Sequence, residues 1–288
     1  MAISDEVVAS APVEPAPRPR RRALRIVALI AAVLVVVLIA AVVWFFVGRE
    51  QASEVDTNEA LEAFRSESNA TASTSASRDV PAPGVYTATV TGEESIGLPG
   101  FDESYGPNSP VTVTHGDGGC FSYRVDFNSH HWRAWTFCPS PTATFALTQM
   151  DGWTARSAPG FDLSTYNTYA CTEPADFWWD DPTTTDSPRT GTCVGTNDLD
   201  DGVTDDALRI EVVGSEPLTI GGARVNAIHL RSTESFSRDQ TGQEVDDWWV
   251  DADTGLPVRL TIDSSLTGGS GDYREKADVT LTSVTPKT

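Results

Sequence analysis

Three groups of residues in this 288-residue chain have the type and spacing that chemistry requires. Asp253-Thr254-Gly255 supplies half of a paired-carboxylate acid–base site. Such a site needs two aspartates sharing one proton, and no second Asp-Thr-Gly or Asp-Ser-Gly follows an apolar strand. The local pattern reads as a turn instead. Trp248-Trp249-Val250 and Val258-Arg259-Leu260 are strand-like, Gly255 supplies a positive φ, and Pro257 starts the return strand. The acid-rich stretch from Asn197 to Asp206 offers the clustered oxygens that calcium prefers, with Asp198, Asp200, Asp201 and Asp205 as candidate ligands. Set on the helix–loop–helix calcium pattern, Leu199 and Leu208 fall on ligand positions, so only a non-standard loop fits. The histidines are His115, His130, His131 and His229. Adjacent residues of a strand point to opposite faces, so His130 and His131 cannot share an ion. There is no G-x-S-x-G elbow, no H-E-x-x-H helix and no cofactor pattern. A triad of dispersed residues is all that remains of an enzymatic reading.

Aromatic residues are the second source of candidate chemistry. Seven of eight tryptophans lie outside the long apolar run, and two pairs are adjacent, Trp178-Trp179 and Trp248-Trp249. A doublet in a strand sends one ring to each face. Indoles favour interfaces and wet-edged pockets, so Tyr123, Trp135, Trp178, Trp179, Trp248 and Trp249 are the candidate ligand-facing aromatics.

These residues sit in a region whose apolar period is two. Tyr86, Ala88 and Val90 alternate with threonine; Phe121, Tyr123, Val125 and Phe127 alternate with polar residues. Val258, Leu260 and Ile262, and Ala277, Val279 and Leu281, repeat the pattern. Residues 84–288 therefore read as a mainly β domain, an antiparallel meander or half-barrel. Its four cysteines allow three connectivities, and strand register selects one. Pairing 120–127 with 131–138 through Asn128-Ser129-His130 sets Cys120 against Cys138, Tyr123 against Trp135 and Phe121 against Phe137. Cys171–Cys193 follows, closing a segment, 172–192, that reads as irregular. No C-x-x-C pair supports a metal alternative.

Before this domain lies a tether. Every residue from Ile26 to Val47 is apolar, and at about 1.5 Å per residue this run spans a hydrocarbon core of ~30 Å. Trp44, Phe45 and Phe46 close it where an aromatic belt sits. A cleaved signal sequence would have a shorter apolar region and a small-residue cleavage site. Arg20-Arg21-Arg22 resembles a twin-arginine signal only faintly. The arginines at 18, 20, 21, 22 and 25 place residues 1–25 in the cytoplasm and the rest outside. Residues 48–83 read as a short helix, Thr57 to Arg65, and then a Ser/Thr/Ala/Pro-rich stalk. After the span the chain carries 15 basic and 38 acidic residues. That balance excludes nucleic acid and anionic lipid surfaces as partners of the domain.

Residues 246–264, which begin Asp-Asp-Trp-Trp-Val-Asp-Ala-Asp-Thr-Gly-Leu-Pro-Val-Arg-Leu, resemble the W-x-D-x-x-T-G-L-P-x-R hairpin of bacterial envelope proteins with the lipoprotein-carrier fold. That resemblance implies an antiparallel half-barrel wrapped over helices around a hydrophobic cavity for acyl chains. Gly84-Val85-Tyr86, Thr114-His115-Gly116, the Cys120 and Cys138 pair and Leu281-Thr282-Ser283-Val284-Thr285-Pro286 are similar to a group of actinobacterial membrane-anchored ectodomains; this implies topology and no activity. The chain is therefore expected to be a tethered, non-enzymatic module outside the membrane. It would bind a hydrophobic ligand (a lipid or acyl chain) or a cell-envelope protein, without a cofactor. A structural or sensory interaction domain is the second expectation, and a hydrolase with a dispersed site the third.

Overall fold

The computed structural model describes residues 21–68, 80–98, 100–178, 188–199, 202–268 and 271–288. It divides into a unit ending at Gly48 and a second unit from Arg49 to Thr288. In the first, the apolar run forms helix α1 (Arg21–Val47). Its segment Arg25–Val47, of mean hydropathy 3.5, is the one helix among the described residues long and apolar enough to cross a membrane.

The alternation of the second unit becomes strands. These are β1 (Gly84–Ser95), β2 (Glu103–Tyr105), β3 (Asn108–His115), β4 (Phe121–Asn128), β5 (His131–Cys138) and β6 (Phe145–Ala158). There follow β7 (Phe161–Trp178), β8 (Arg189–Asn197), β9 (Val203–Ile220), β10 (Ala223–Arg238), β11 (Gln240–Asp251), β12 (Pro257–Gly268) and β13 (Gly271–Leu281). Each pairs antiparallel with its chain neighbour, except that β2 forms a flap on β1, which also pairs with β3.

The expectation of an open meander or half-barrel is corrected at one seam. Ala88–Ser95 of β1 pairs with Arg274–Leu281 of β13, closing a barrel of twelve strands among the described residues. Closure removes the two unpaired edges that an open sheet would expose. The short helix α2 (Thr57–Ser68) is outside this wall, with Leu61 and Phe64 packed on Val85, so among the described residues no helix fills the interior. Side chains fill it instead. An eight-strand barrel is about the width that ordinary side chains can fill, and twelve strands need larger groups. Trp248 meets Tyr123, Trp135, Phe137 and Phe177 with ring centroids 6.1, 5.0, 6.2 and 5.3 Å away. This forms the aromatic end of the barrel, which also holds the turn between β11 and β12.

The hairpin register matches the sequence reading. Phe121 pairs with Phe137 and Tyr123 with Trp135, and Cys120 is bonded to Cys138. Cys171 and Cys193 are bonded and directly opposite on β7 and β8. The segment between them differs from expectation. Residues 172–178 and 189–192 continue the two strands, because pairing with β6 and β9 supplies backbone partners that the sequence does not advertise.

Candidate functional site

Along β1, β10, β11 and β13, the inward period that is apolar at the aromatic end runs on into acids at the other. Tyr86, Ala88 and Val90 lead to Glu94; Leu230 leads through Ser232 to Glu234. Trp248 leads back through Asp246 to Glu244, and Val279 through Ala277 to Glu275. The register aligns these positions in one lateral row, Glu234–Glu244–Ser264–Glu275–Glu94–Glu103, across β10, β11, β12, β13, β1 and β2. The first five are 3% exposed or less. Carboxylates side by side in a dry interior repel one another, so the opposite wall must supply compensation.

It supplies an alternating chain. Glu103 accepts from His130 Nδ1 at 2.9 Å and pairs with Arg156 at 3.2 Å. Arg156 donates to Glu94 at 2.5 Å and to the Phe101 carbonyl at 3.1 Å. His131 lies between two glutamates, Nδ1 3.6 Å from Glu94 and Nε2 3.2 Å from Glu275. Its Nδ1 also faces the Trp153 carbonyl at 3.1 Å. Both ring nitrogens therefore meet acceptors, which makes the ring an imidazolium. Burial works against that charge, but Glu94 and Glu275 outweigh it and raise its pKa. Arg133 then spans Glu275 at 3.2 Å and Glu244 at 2.5 Å. The hydroxyls of Tyr105 and Tyr273 donate to Glu275 at 3.0 and 2.9 Å. Burial alone would raise Glu275, yet His131 and Arg133 hold its carboxyl down at about 2.

The chain of cations stops at Glu244. Glu234 accepts only from Ser232 at 3.5 Å, and neither oxygen of Asp246 has a hydrogen-bond partner. Burial, then the charge of Glu244, pushes Asp246 up and raises Asp206 to about 7; burial and Asp206 push up Glu234.

Above this floor the barrel encloses a cavity of ≈ 170 Å³, walled by Ile96, Leu98, Leu163, Phe236 and Leu266 and floored by Arg133, Glu234 and Glu244. Tyr169 stands at its edge and donates to Gln240 at 2.9 Å. Glu50 and Ser53 are fixed on the same rim, through Ser157 and Ser129.

The aromatics singled out from sequence lie elsewhere. Tyr123, Trp135 and Trp248 are 0, 1 and 1% exposed in the packed end, which makes them core rather than cavity wall. Trp249 faces outward, stacked on His229 at 4.3 Å, with its indole N–H donated to Glu216 at 2.6 Å. The Trp178 side chain and Trp179 lie outside the described residues. Asp198 accepts the Tyr166 N–H at 2.7 Å and Asp205 pairs with Arg238 at 2.6 Å, so hydrogen bonding occupies both; Asp200 and Asp201 lie outside the described residues. Asp253-Thr254-Gly255 is the expected turn, with Thr254 Oγ1 donating to Asp251 at 2.5 Å and Gly255 at φ 68°.

The acidic row was missed, and the sequence held a signal for it. Extending each period-two run past its last apolar residue reaches Glu94, Glu234, Glu244 and Glu275 at inward positions. Only closure shows that they converge.

Neither a protein-family model nor a curated protein matches the chain. Among solved structures it is similar to the hypothetical lipoprotein YmcC from Escherichia coli, with 13% identity over 70% of this chain and 86% of that one, at a TM-score of 0.34.

Proposed function

We propose that this protein is a membrane-tethered, non-enzymatic, extracytoplasmic binding module whose barrel admits the apolar end of a lipid-like ligand. The observation that carries the reading is the contrast between the two ends of one barrel. One is filled by interlocked aromatic rings, while the other keeps a cavity with apolar walls and a polar floor. Binding sites commonly combine mostly apolar walls with a few convergent polar groups. At ≈ 170 Å³ the cavity is below the ~300 Å³ at which whole drug-sized ligands fit, so it takes the end of a chain rather than a whole lipid. Leu163, Phe236 and Leu266 would contact the apolar part, and Gln240 and Tyr169 at the edge would meet a polar end. The apolar helix supports anchorage, and its basic N-terminal flank supports an extracytoplasmic placement of the barrel.

The test is photolabelling of the full chain with a diazirine-bearing fatty acid, mapped by peptide mass spectrometry. Labels on Leu163, Phe236 or Leu266, competed by unlabelled fatty acid, are expected. Labels confined to Arg25–Val47 would sink the reading.

A further inference from the structure

The carboxylates beyond the ion-pair chain point to a ligand of their own, independent of what the cavity above them takes. One oxygen from each of Glu234, Glu244 and Asp246 lies within 4.8 Å of the other two, and all three residues are buried. Two oxygens on opposite sides of a calcium ion are about 4.6–5.2 Å apart, whereas magnesium brings them to about 4.0–4.2 Å. Three oxygens this close can share one ion, and a buried site that offers protein oxygens in place of water suits calcium better than magnesium, which keeps several of its waters. A second observation comes from a different strand. The Ser264 hydroxyl is 2% exposed and has no partner, although the register sets it directly beside Glu244 and Glu275. Asp246 likewise has two buried oxygens and no donor for either. Arg133 engages one oxygen of Glu244, leaving the other for an ion.

We propose that Glu234, Glu244 and Asp246, with the Ser264 hydroxyl beside them, bind a calcium-sized divalent cation inside the barrel. Their strands, β10, β11 and β12, are consecutive and fully paired, which holds the ligands in place without a loop. Charge balance favours the same ion. Glu94 and Glu103 share Arg156, and Glu275 and Glu244 face His131 and Arg133, whereas among the described residues no ion pair reaches Glu234 or Asp246. Glu234 and Glu244 line the cavity, which gives the ion an entry path. The loop carboxylates Asp198 and Asp205 are not part of this site, although Asp206, at the end of the same stretch, lies near enough for its charge to raise Glu234.

The full chain in nonionic detergent, stripped with a chelator, is titrated with calcium chloride by calorimetry and by thermal unfolding followed through tryptophan fluorescence. One calcium per chain is expected, with the unfolding midpoint rising by roughly 5–10 °C at calcium about 100-fold above Kd, and magnesium at least about 10-fold weaker. Asp246→Asn and Glu234→Gln should each weaken calcium by at least about 10-fold while keeping the near-UV circular dichroism of the parent. Asp198→Asn should change nothing. Identical midpoints in chelator and in calcium would overturn the proposal, as would parental affinity in both cluster variants. Loss of binding in Asp198→Asn would overturn it too, by moving the ion to the loop. Should Asp246→Asn fail to fold, Glu234→Gln decides alone.

Discussion

Glu94 and Glu275 stand directly opposite each other across the seam that closes the barrel, both 1% exposed or less, with the His131 ring between them. Two buried carboxylates there would force the seam apart, so closure depends on the cations reaching in from β5 and β6. Around His131 are also Arg133, the Tyr105 ring stacked at 5.7 Å, and Thr154. The pH dependence follows. His131 is raised above its ordinary 6.5, so its contribution is complete below that pH and is lost as pH rises through the folded value. Glu275 is lowered from 4.5 to about 2, so its contribution is present above 4.5 and is lost as pH falls toward 2. Urea midpoints between pH 4 and 9 should show His131→Gln losing most stability below pH 6.5, with the deficit shrinking as pH rises above it. A constant difference across that range would show that His131 is not protonated in the fold.

Gly92 lies on the same seam two residues before Glu94, at φ 151°. A Cβ there would run into the Lys276 carbonyl of β13, so Gly92→Ala combines an unfavourable backbone angle with a clash against a fixed partner. The cost is expected to be about 3–4 kcal/mol. Hydrogen exchange should speed up first at 88–95 and 274–281. Exchange that rises evenly over all strands would show that the seam is not a separate weak point.

The strands, the Cys120–Cys138 hairpin and the 252–256 turn were legible because each is set by neighbours in sequence: alternation, turn residues, register across a short loop. Closure was not, since Ala88 and Leu281 are joined only by the sum of every strand's tilt and stagger. The site followed the same division. Glu94, Glu244 and Glu275 lie on three strands distant in sequence, and each alone reads as a solvated surface acid. Tyr123, Trp135 and Trp248 failed in the opposite direction, because a wide barrel needs bulk and their size alone does not distinguish filling a core from facing a ligand.

The two members of the Trp248-Trp249 doublet should therefore behave differently. Trp248 touches four aromatic rings inside the barrel, and Trp248→Ala would leave a cavity costing about 3–5 kcal/mol. Trp249→Ala loses an outer-face stack on His229 and the Arg259 guanidinium 4.6 Å above its ring, worth about 1–2 kcal/mol. Denaturant unfolding of both variants decides the assignment. Equal losses would mean that the doublet is not split between inside and outside.

The disulfides, with sequence separations of 18 and 22, should be similar in worth if they act by restricting the unfolded chain. Loop-closure entropy assigns about 3 kcal/mol to each, or roughly 6–12 °C in the unfolding midpoint for a domain of this size. Each joins residues on neighbouring strands that stay paired through the ladder, so removal should not change the register. Paired replacement with alanine, Cys120→Ala with Cys138→Ala and Cys171→Ala with Cys193→Ala, should lower stability by comparable amounts and leave the near-UV circular dichroism of the aromatic end intact. Loss of that signal in the first pair alone would mean that the 120–138 bond sets the Tyr123–Trp135 register instead of following from it.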